Sequence, residues 1–301
     1  MRKEVFEFTG HVGTTLSAVI WLPEGEVRAT LQITHGMTEH MGRYETFAAY
    51  LMSLGIAVAG FDLRGHGSNP GHRDIASFGE GGWAASIEDM RLFFELLEER
   101  FPGRPHHMLG FSLGSCLLRE YLGQYPQGVE SAVIMGTGHQ PGWLLRVMMA
   151  IVKSQIRKAG FDHTTDLVRQ LSFGTYNQKF KPNRTCADWL CADEEELDKY
   201  LADPLVRRDI SAGLFWELLA SMRRTGTPKA YGAWNQEMPV YLISGSDDPV
   251  GSGVEKVYDQ MKKAGIHHVV FQVFPRARHD LLHEESFGAE LVRHCIADWL
   301  V

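Results

Sequence analysis

The segment Gly110-Phe111-Ser112-Leu113-Gly114 places one serine between two glycines in a G-x-S-x-G pattern. An apolar stretch, residues 107–111, precedes the serine, and a helical pattern, residues 115–121, follows it. A serine at a sharp turn between strand and helix takes strained backbone angles, and side chains at the flanking glycine positions would collide with both elements. The segment therefore predicts a nucleophilic hydroxyl at Ser112.

A serine hydroxyl is a poor nucleophile at neutral pH, so it needs an imidazole to take its proton and a carboxylate to orient that imidazole. Two candidate acids, Asp247 and Asp248, lie together in the polar turn after one strand pattern, and His279 follows the next strand pattern. The other histidines that flank strands are predicted to lie at the surface; they are His106, His107, His267 and His268. His279 is therefore the predicted base.

The attacked carbonyl oxygen becomes an oxyanion and needs two N–H donors. Leu113, the residue after the nucleophile, supplies one backbone N–H. The loop after the third strand pattern, which contains His35-Gly36-Met37, supplies the other, and Met37 is the predicted donor. His283 lies one helical turn after His279, a spacing that can bind metal, but no third ligand is evident and no metal site is predicted.

The strand and helix patterns of the sequence predict the elements that position these candidate catalytic residues. Short apolar patterns predict eight strands at residues 5–8, 16–21, 30–34, 56–61, 107–111, 132–136, 240–244 and 269–274. The first two patterns alternate and predict an antiparallel hairpin, whereas the later ones predict a buried parallel sheet. Ile87, Met90, Phe94, Leu97 and Phe101 step by three and four residues and predict a crossover helix. The fold class is therefore α/β, with an eight-stranded, mostly parallel sheet flanked by helices.

The alternation of strands and helices stops between residues 140 and 234. This stretch has no convincing strand pattern, but it has helical patterns at residues 143–157, 165–171, 194–201 and 212–222. A segment of this length is too long for a loop in a compact domain, so residues 140–234 are predicted to form an inserted helical cap over a core of residues 1–139 and 235–301. The first cap helix is unusually apolar, which suits core packing, an acyl tunnel or transient contact with lipid.

The composition and net charge of the chain limit the classes of molecule that it is expected to bind. The chain has 301 residues, 44% of them hydrophobic and 22% charged, and a formal net charge of -7. The negative charge gives no general attraction to nucleic acid or anionic lipid. No signal peptide, membrane-spanning run, disulfide framework or zinc spacing is evident, so a cytoplasmic location is expected. The sequence does not indicate an oligomeric state.

The whole chain resembles the α/β-hydrolase family and, within it, the group of monoacylglycerol lipases and lysophospholipases, which is also classed with S33 serine aminopeptidases. The resemblance rests on the order Ser, Asp, His and on residues 35–44, His-Gly-Met-Thr-Glu-His-Met-Gly-Arg-Tyr, which are similar to that group's H-G-x-x-E-H-x-G-R-Y signature. It implies an α/β-hydrolase fold, a triad of Ser112, Asp248 and His279, and an oxyanion hole from the Met37 and Leu113 amides. Asp248 is favoured over Asp247 because it matches the family's G-x-x-D pattern, which leaves Asp247 as a solvated turn residue.

The resemblance also implies substrate binding by Glu39 and Arg43, which match the signature positions that hold a glycerol head group. His283 is the corresponding histidine, although it follows His279 by four residues where the lipase pattern has three. Prolyl aminopeptidases carry H-G-G-P-G at the loop that here begins with His35-Gly36-Met37, so a peptidase is disfavoured.

The predicted function is hydrolysis of a single-chain carboxylic ester, such as a monoacylglycerol or lysophospholipid, through an acyl-enzyme and without a cofactor. A thioesterase or an arylesterase of the same fold is the nearest alternative. A second class is a noncatalytic ligand-binding protein on a hydrolase scaffold.

Overall fold

The central element of the molecule is an eight-stranded sheet, seen in a computed structural model that describes residues 2–285 and 288–301. Its strands are β1 (Arg2–Thr9), β2 (Thr15–Leu22), β3 (Ala29–Thr34), β4 (Ile56–Phe61), β6 (His106–Phe111), β7 (Ser131–Met135), β9 (Val240–Gly245) and β10 (Val269–Phe274). The spatial order is β1-β2-β4-β3-β6-β7-β9-β10. The six strands from β4 to β10 in this order are parallel, and β1 and β2 form the predicted antiparallel hairpin. The predicted fold class is confirmed.

Helices cover both faces of the sheet. Because the parallel strands are buried on both faces, their sequences are continuous apolar runs. The helices outside the inserted segment are α1 (Glu45–Ser53), α2 (Gly82–Arg100), α3 (Leu113–Gln124), α9 (Val254–Ala264) and α10 (Ala289–Leu300). Every residue of β3, β4, β6, β7 and β9 is buried. One large apolar core packs under α2, α3 and α9, and a second packs under α1 and α10. A smaller apolar cluster lies at residues 187–197. The predicted crossover helix is α2.

The prediction that His106 and His107 lie at the surface is wrong. Both are buried in β6, because neighbouring strands supply hydroxyl partners: Thr30 Oγ1 lies 2.6 Å from His106 Nδ1, and Ser131 Oγ lies 2.8 Å from His107 Nδ1. Burial lowers the pKa of His107 to about 4. The histidines at 267 and 268 are exposed, as predicted.

Residues 140–234 leave the sheet after β7 and return to it at β9. We call them the inserted segment. Its helices are α4 (Gly142–Ala159), α5 (Asp166–Ser172), α6 (Glu194–Ala202), α7 (Ala212–Arg224) and α8 (Pro228–Tyr231), with α4 packed along α7. Short 3-10 turns occur at His11–Gly13, Met41–Tyr44, Tyr176–Phe180 and Leu281–His283. The division of the chain into a core and a cap stays a prediction.

The expectation that this segment contains no strand is wrong. Within it, β8 (Asp209–Ile210) pairs in parallel with β5 (Ile75–Ala76), which lies between β4 and α2. Two residues are too few to leave an alternating pattern in a sequence. This small ladder ties the part of the inserted segment just before α7 to the loop between β4 and α2. In the part of the chain described here, no helix has the length and apolar character needed to cross a membrane.

Candidate active site

Ser112 occupies the turn between β6 and α3, where its backbone has φ 52° and ψ -116°. A Cβ on Gly110 would lie 2.5 Å from the Gly114 carbonyl oxygen, and a Cβ on Gly114 would lie 2.1 Å from that of Thr34. Both distances are far below van der Waals contact, so this turn requires glycine on both sides. The two glycines allow β6 and α3 to approach closely around a strained serine.

A hydrogen-bonded chain joins Ser112, His279 and Asp248. His279 Nε2 lies 2.9 Å from Ser112 Oγ, and His279 Nδ1 lies 3.0 Å from each carboxylate oxygen of Asp248. Because Asp248 can only accept when ionised, the Nδ1 proton belongs on the histidine and Nε2 is free to accept the serine proton. The arrangement can activate Ser112 as a nucleophile.

The His279 ring is held between two aromatic rings. Its centroid lies 4.9 Å from that of Phe111 and 5.3 Å from that of Trp189, a residue of the inserted segment. Gly136 leaves room for it, since a Cβ there would lie 2.9 Å from His279 Cε1. Sequence reasoning missed Trp189, because its distance from position 279 in the chain gives no local signal.

The two candidate acids have different surroundings. Asp248 is buried and also accepts a hydrogen bond from the Val250 backbone N–H at 2.8 Å. Asp247 is part-exposed and forms an ion pair with Lys179 at 2.9 Å. The structure therefore brings Asp248 to the histidine and leaves Asp247 in a solvated turn.

The loop from His35 to Tyr44 approaches Ser112 from β3. The N–H groups of Met37 and Leu113 have no acceptor among the described residues. Leu113 directly follows Ser112, and the start of the loop that carries Met37 packs against Gly114, where a Cβ would lie 2.6 Å from the His35 carbonyl oxygen. N–H groups without an internal acceptor are available for an oxyanion. His35 fixes the start of this loop: its Nδ1–H donates to the Gly36 carbonyl at 2.7 Å, and its Nε2 accepts from the Leu63 N–H at 2.9 Å.

Two of the three predicted substrate-binding residues, Arg43 and His283, contact an acid that the sequence reasoning did not select, Asp280, and the third, Glu39, contacts Arg43. Arg43 Nη2 donates to Asp280 at 2.7 Å, and its Nη1 lies 3.5 Å from Glu39. His283 Nδ1 lies 2.9 Å from Asp280, and its Nε2 lies 3.1 Å from the Arg43 carbonyl oxygen. Glu39 accepts from the Gly36 N–H at 2.6 Å and from the Tyr44 hydroxyl at 2.7 Å.

The electrostatics of this network favour ionised groups. Burial alone would raise the pKa of Asp280, but the positive charges of His283 and Arg43 lower it to about 2. Burial alone would lower the pKa of His283, but Asp280 raises it above its ordinary value. Arg43 and His283 border a polar cavity of about 250 Å³ that does not include Ser112. Both nitrogens of His283 are occupied, and no group of His, Cys, Asp or Glu residues in the described ranges could hold a metal ion.

A separate, mostly apolar cavity of about 260 Å³ opens at Ser112. Much of its apolar wall comes from α3, α4, α5 and α7, which contribute Leu113, Cys116, Leu144, Met148, Leu171, Phe215, Leu218, Leu219 and Met222. Its volume is near the lower limit for ligand pockets, roughly 300 Å³. The arrangement can hold one slender apolar chain with its reacting group at the serine.

A sheet of this topology, with a serine at the turn after β6 and an aspartate and a histidine after β9 and β10, defines an α/β-hydrolase, and this protein is a serine hydrolase of that class. The family described as "Serine aminopeptidase, S33" matches residues 25–286, and the chain belongs to that family.

Curated relatives and solved structures extend this assignment. The chain is 24% identical to a monoacylglycerol lipase of Mycolicibacterium smegmatis, over 98% of this chain and 95% of the relative. It is also 24% identical to the human monoglyceride lipase, over 90% of this chain and 86% of the relative. A carboxyl esterase of Bacillus coagulans, solved in complex with glycerol, superposes with a TM-score of 0.87 at 22% identity, covering 99% of this chain and 98% of the esterase. Together these findings identify a serine ester hydrolase.

Proposed function

We propose that this protein hydrolyses single-chain carboxylic esters, with monoacylglycerols as the favoured class, through Ser112, His279 and Asp248. The observation that carries the proposal is the unbroken chain of hydrogen bonds from Ser112 Oγ through His279 to Asp248, located at the mouth of an apolar cavity of about 260 Å³. The cavity holds the acyl chain, and the polar head group stays outside it.

In the first step, Ser112 Oγ attacks the ester carbonyl carbon while His279 Nε2 takes the hydroxyl proton. Asp248 stabilises the imidazolium that forms. The carbon–oxygen bond to the alcohol then breaks, the alcohol oxygen receives the proton from His279, and an acyl-enzyme remains on Ser112. In the second step His279 takes a proton from water, which attacks the acyl carbon and releases the carboxylic acid as Ser112 regains its proton.

Both steps pass through a tetrahedral oxyanion. We assign its stabilisation to the backbone N–H groups of Met37 and Leu113, because both are free of other acceptors. Removing one such donor typically slows an acyl-transfer enzyme by about 100-fold to 1,000-fold.

The choice of monoacylglycerols rests on the size and polarity of the cavity and on the names of the relatives, two of which are monoacylglycerol lipases. Binding of the head group by Glu39, Arg43 and His283 stays a prediction, since none of the three borders the cavity at Ser112. Lysophospholipids share the single chain and form the second substrate class to test.

The test is a substrate panel of a monoacylglycerol, a lysophosphatidylcholine, an aryl ester and an acyl thioester with the same acyl chain. We expect the highest kcat/KM for the monoacylglycerol and a loss of at least about 10⁴-fold in kcat for Ser112→Ala. Ser53→Ala, at an exposed serine of α1, should match the parent. Turnover by Ser112→Ala at the parent rate would refute the mechanism, and a preference for the thioester would reassign the substrate. Binding without turnover by the parent would indicate a noncatalytic protein.

A further inference from the structure

The loop that carries Met37 contains a strained residue, Thr38, whose φ is +70°. A β-branched residue rarely adopts a positive φ, and such a conformation persists only where the surroundings fix it. Thr38 directly follows Met37, the residue whose N–H we assign to the oxyanion hole. What holds Thr38 in place therefore fixes the peptide that follows Met37, next to the Gly36–Met37 peptide that carries the Met37 N–H.

Two contacts from the inserted segment hold Thr38. The Arg207 backbone N–H donates to the Thr38 carbonyl oxygen at 2.7 Å. The hydroxyl of Tyr200, on α6, lies 2.9 Å from Thr38 Oγ1. Thr38 Oγ1 also donates its proton to the Met37 carbonyl oxygen, at 2.5 Å. Because a threonine hydroxyl has one proton, Tyr200 must be the donor in its contact with Thr38.

The chain of hydrogen bonds therefore runs from Tyr200 through Thr38 to the carbonyl of Met37. Tyr200 makes two contacts here: its hydroxyl lies against the Thr38 hydroxyl, and its ring packs against the Arg43 guanidinium, whose central carbon lies 4.6 Å from the Tyr200 ring centroid. Arg43 in turn binds Asp280, the residue after His279. One tyrosine side chain thus contacts the supports of both catalytic loops.

The end of α6 is also held against the loop of residues 35–44, by a contact between His40 and Asp203. His40 Nε2 lies 2.8 Å from Asp203, which follows α6 in the chain. The Arg207 guanidinium donates to the carbonyl oxygens of Gly65 at 3.3 Å and Gly67 at 2.8 Å, in the loop after β4. Residues 200–207 are thereby held at two points, at Asp203 by His40 and at Arg207 by the loop after β4. These contacts fix the position of the Tyr200 hydroxyl.

We propose that Tyr200, a residue of the inserted segment, is a positioning residue for the oxyanion hole: its hydroxyl orients Thr38 and thereby the Met37 N–H. This inference rests on the function proposed above and deepens it. Part of the inserted segment then serves the chemical step as well as enclosing the acyl chain.

Tyr200→Phe removes one oxygen atom and keeps the ring over Arg43. We expect kcat to fall about 10-fold with KM within about twofold, because a displaced donor costs less than an absent one. Affinity for a trifluoromethyl ketone, whose adduct with Ser112 carries an oxyanion, should fall in parallel with kcat/KM. A merely structural role would lower the thermal midpoint and leave this affinity unchanged. Tyr50→Phe, which removes a tyrosine hydroxyl bonded to His294 on the surface, should match the parent.

Thr38 gives an independent test from the other side of the hydrogen bond. Thr38→Ser keeps the hydroxyl and should retain most of kcat, whereas Thr38→Val loses it and should show at least the loss seen in Tyr200→Phe. The double variant Tyr200→Phe with Thr38→Val should lose no more than Thr38→Val alone, because the two groups act as one unit.

The inference is overturned if Tyr200→Phe keeps both kcat and the affinity for the ketone within about twofold of the parent, or if Thr38→Ser and Thr38→Val have equal kcat. Either result, with Ser112→Ala inactive, would leave the proposed function in place. Turnover by Ser112→Ala would instead remove the proposed function itself.

Discussion

Asp247 and Asp248 are neighbours in the chain, yet only one of them can serve His279. The Asp248 carboxylate is buried and lies 3.0 Å from His279 Nδ1, whereas the Asp247 carboxylate is paired with Lys179 near solvent. The difference arises because the turn after β9 points the Asp247 side chain outward and the Asp248 side chain into the molecule.

This pair of residues offers a matched test of the acid. Asp248→Asn should lower kcat by about 10⁴-fold, because an amide at this position no longer selects the histidine tautomer that accepts the serine proton. Asp247→Asn should stay within about twofold of the parent, since an exposed ion pair contributes little. Steady-state ester hydrolysis by both purified variants decides the assignment, and a large loss in Asp247→Asn alone would reverse it.

Some residues of the site are predictable from the sequence and others are not. Strand patterns predict Ser112, His279 and an acid at Asp247 or Asp248, because each follows a strand and parallel strands bring their carboxyl ends to one edge of the sheet. The family's G-x-x-D pattern selects Asp248 from the two acids. Asp280 was not selected, because its partner Arg43 lies 237 positions away and no local pattern marks the pair. The same holds for Trp189 and Tyr200, which reach the site from the inserted segment.

At the scale of elements, α4 and α7 shape the apolar cavity. Met148 on α4 is half-buried and borders the cavity, while the adjacent Val147 is 50% exposed on the outer side of the same helix. The apolar pattern of α4 predicted a helix correctly, but it did not separate the residues that face the cavity from those that face solvent. Packing against α7 makes that distinction.

Met148→Trp should narrow the cavity and select against long acyl chains. We expect kcat/KM for a palmitoyl ester to fall at least about 10-fold while that for an acetyl ester changes less than about threefold, because only the longer chain needs the filled space. Val147→Trp adds the same bulk on the exposed side and should leave both values unchanged. Equal losses for both esters in Met148→Trp would show that the acyl chain does not occupy this cavity.

The short β5–β8 ladder illustrates the limit of prediction for elements. The eight longer strands each left an apolar pattern, whereas two-residue strands did not. Their pairing depends on a long-range contact between the inserted segment and the loop after β4. The β-propensities of the residues do not predict such a contact.

For the molecule as a whole, buried neutral histidines should set the response to acid. Burial lowers the pKa values of His35 and His66 to about 3 and that of His107 to about 4. The unfolded chain binds a proton at each of these sites below pH about 6.5, and the folded chain does not until the pH is far lower. Burial also lowers the pKa values of His106 and His139, whereas Asp280 raises the pKa of His283.

The free energy of unfolding should therefore decrease as pH falls from about 6.5 to 4, because the unfolded chain takes up protons at the buried histidines before the folded chain does. His283, whose pKa is raised, contributes the opposite slope only above pH about 6.5, since below that pH both states hold its proton. Below pH about 4, protonation of Asp280, whose pKa is lowered to about 2, should remove further stability. Urea unfolding at a series of pH values measures this slope. His107→Gln should reduce the slope, and His268→Gln, at an exposed position, should not change it. A free energy that rises on acidification would contradict the assignment of neutral buried histidines.

The central claim is that Ser112 is an activated nucleophile, and covalent labelling tests it most directly. We would treat the folded protein with a fluorophosphonate probe, digest it and locate the label by mass spectrometry. We expect a single label on Ser112. Labelling should be absent in Ser112→Ala and much slower in Asp248→Asn than in the parent. A label confined to another residue, or none on protein that hydrolyses esters, would contradict the account.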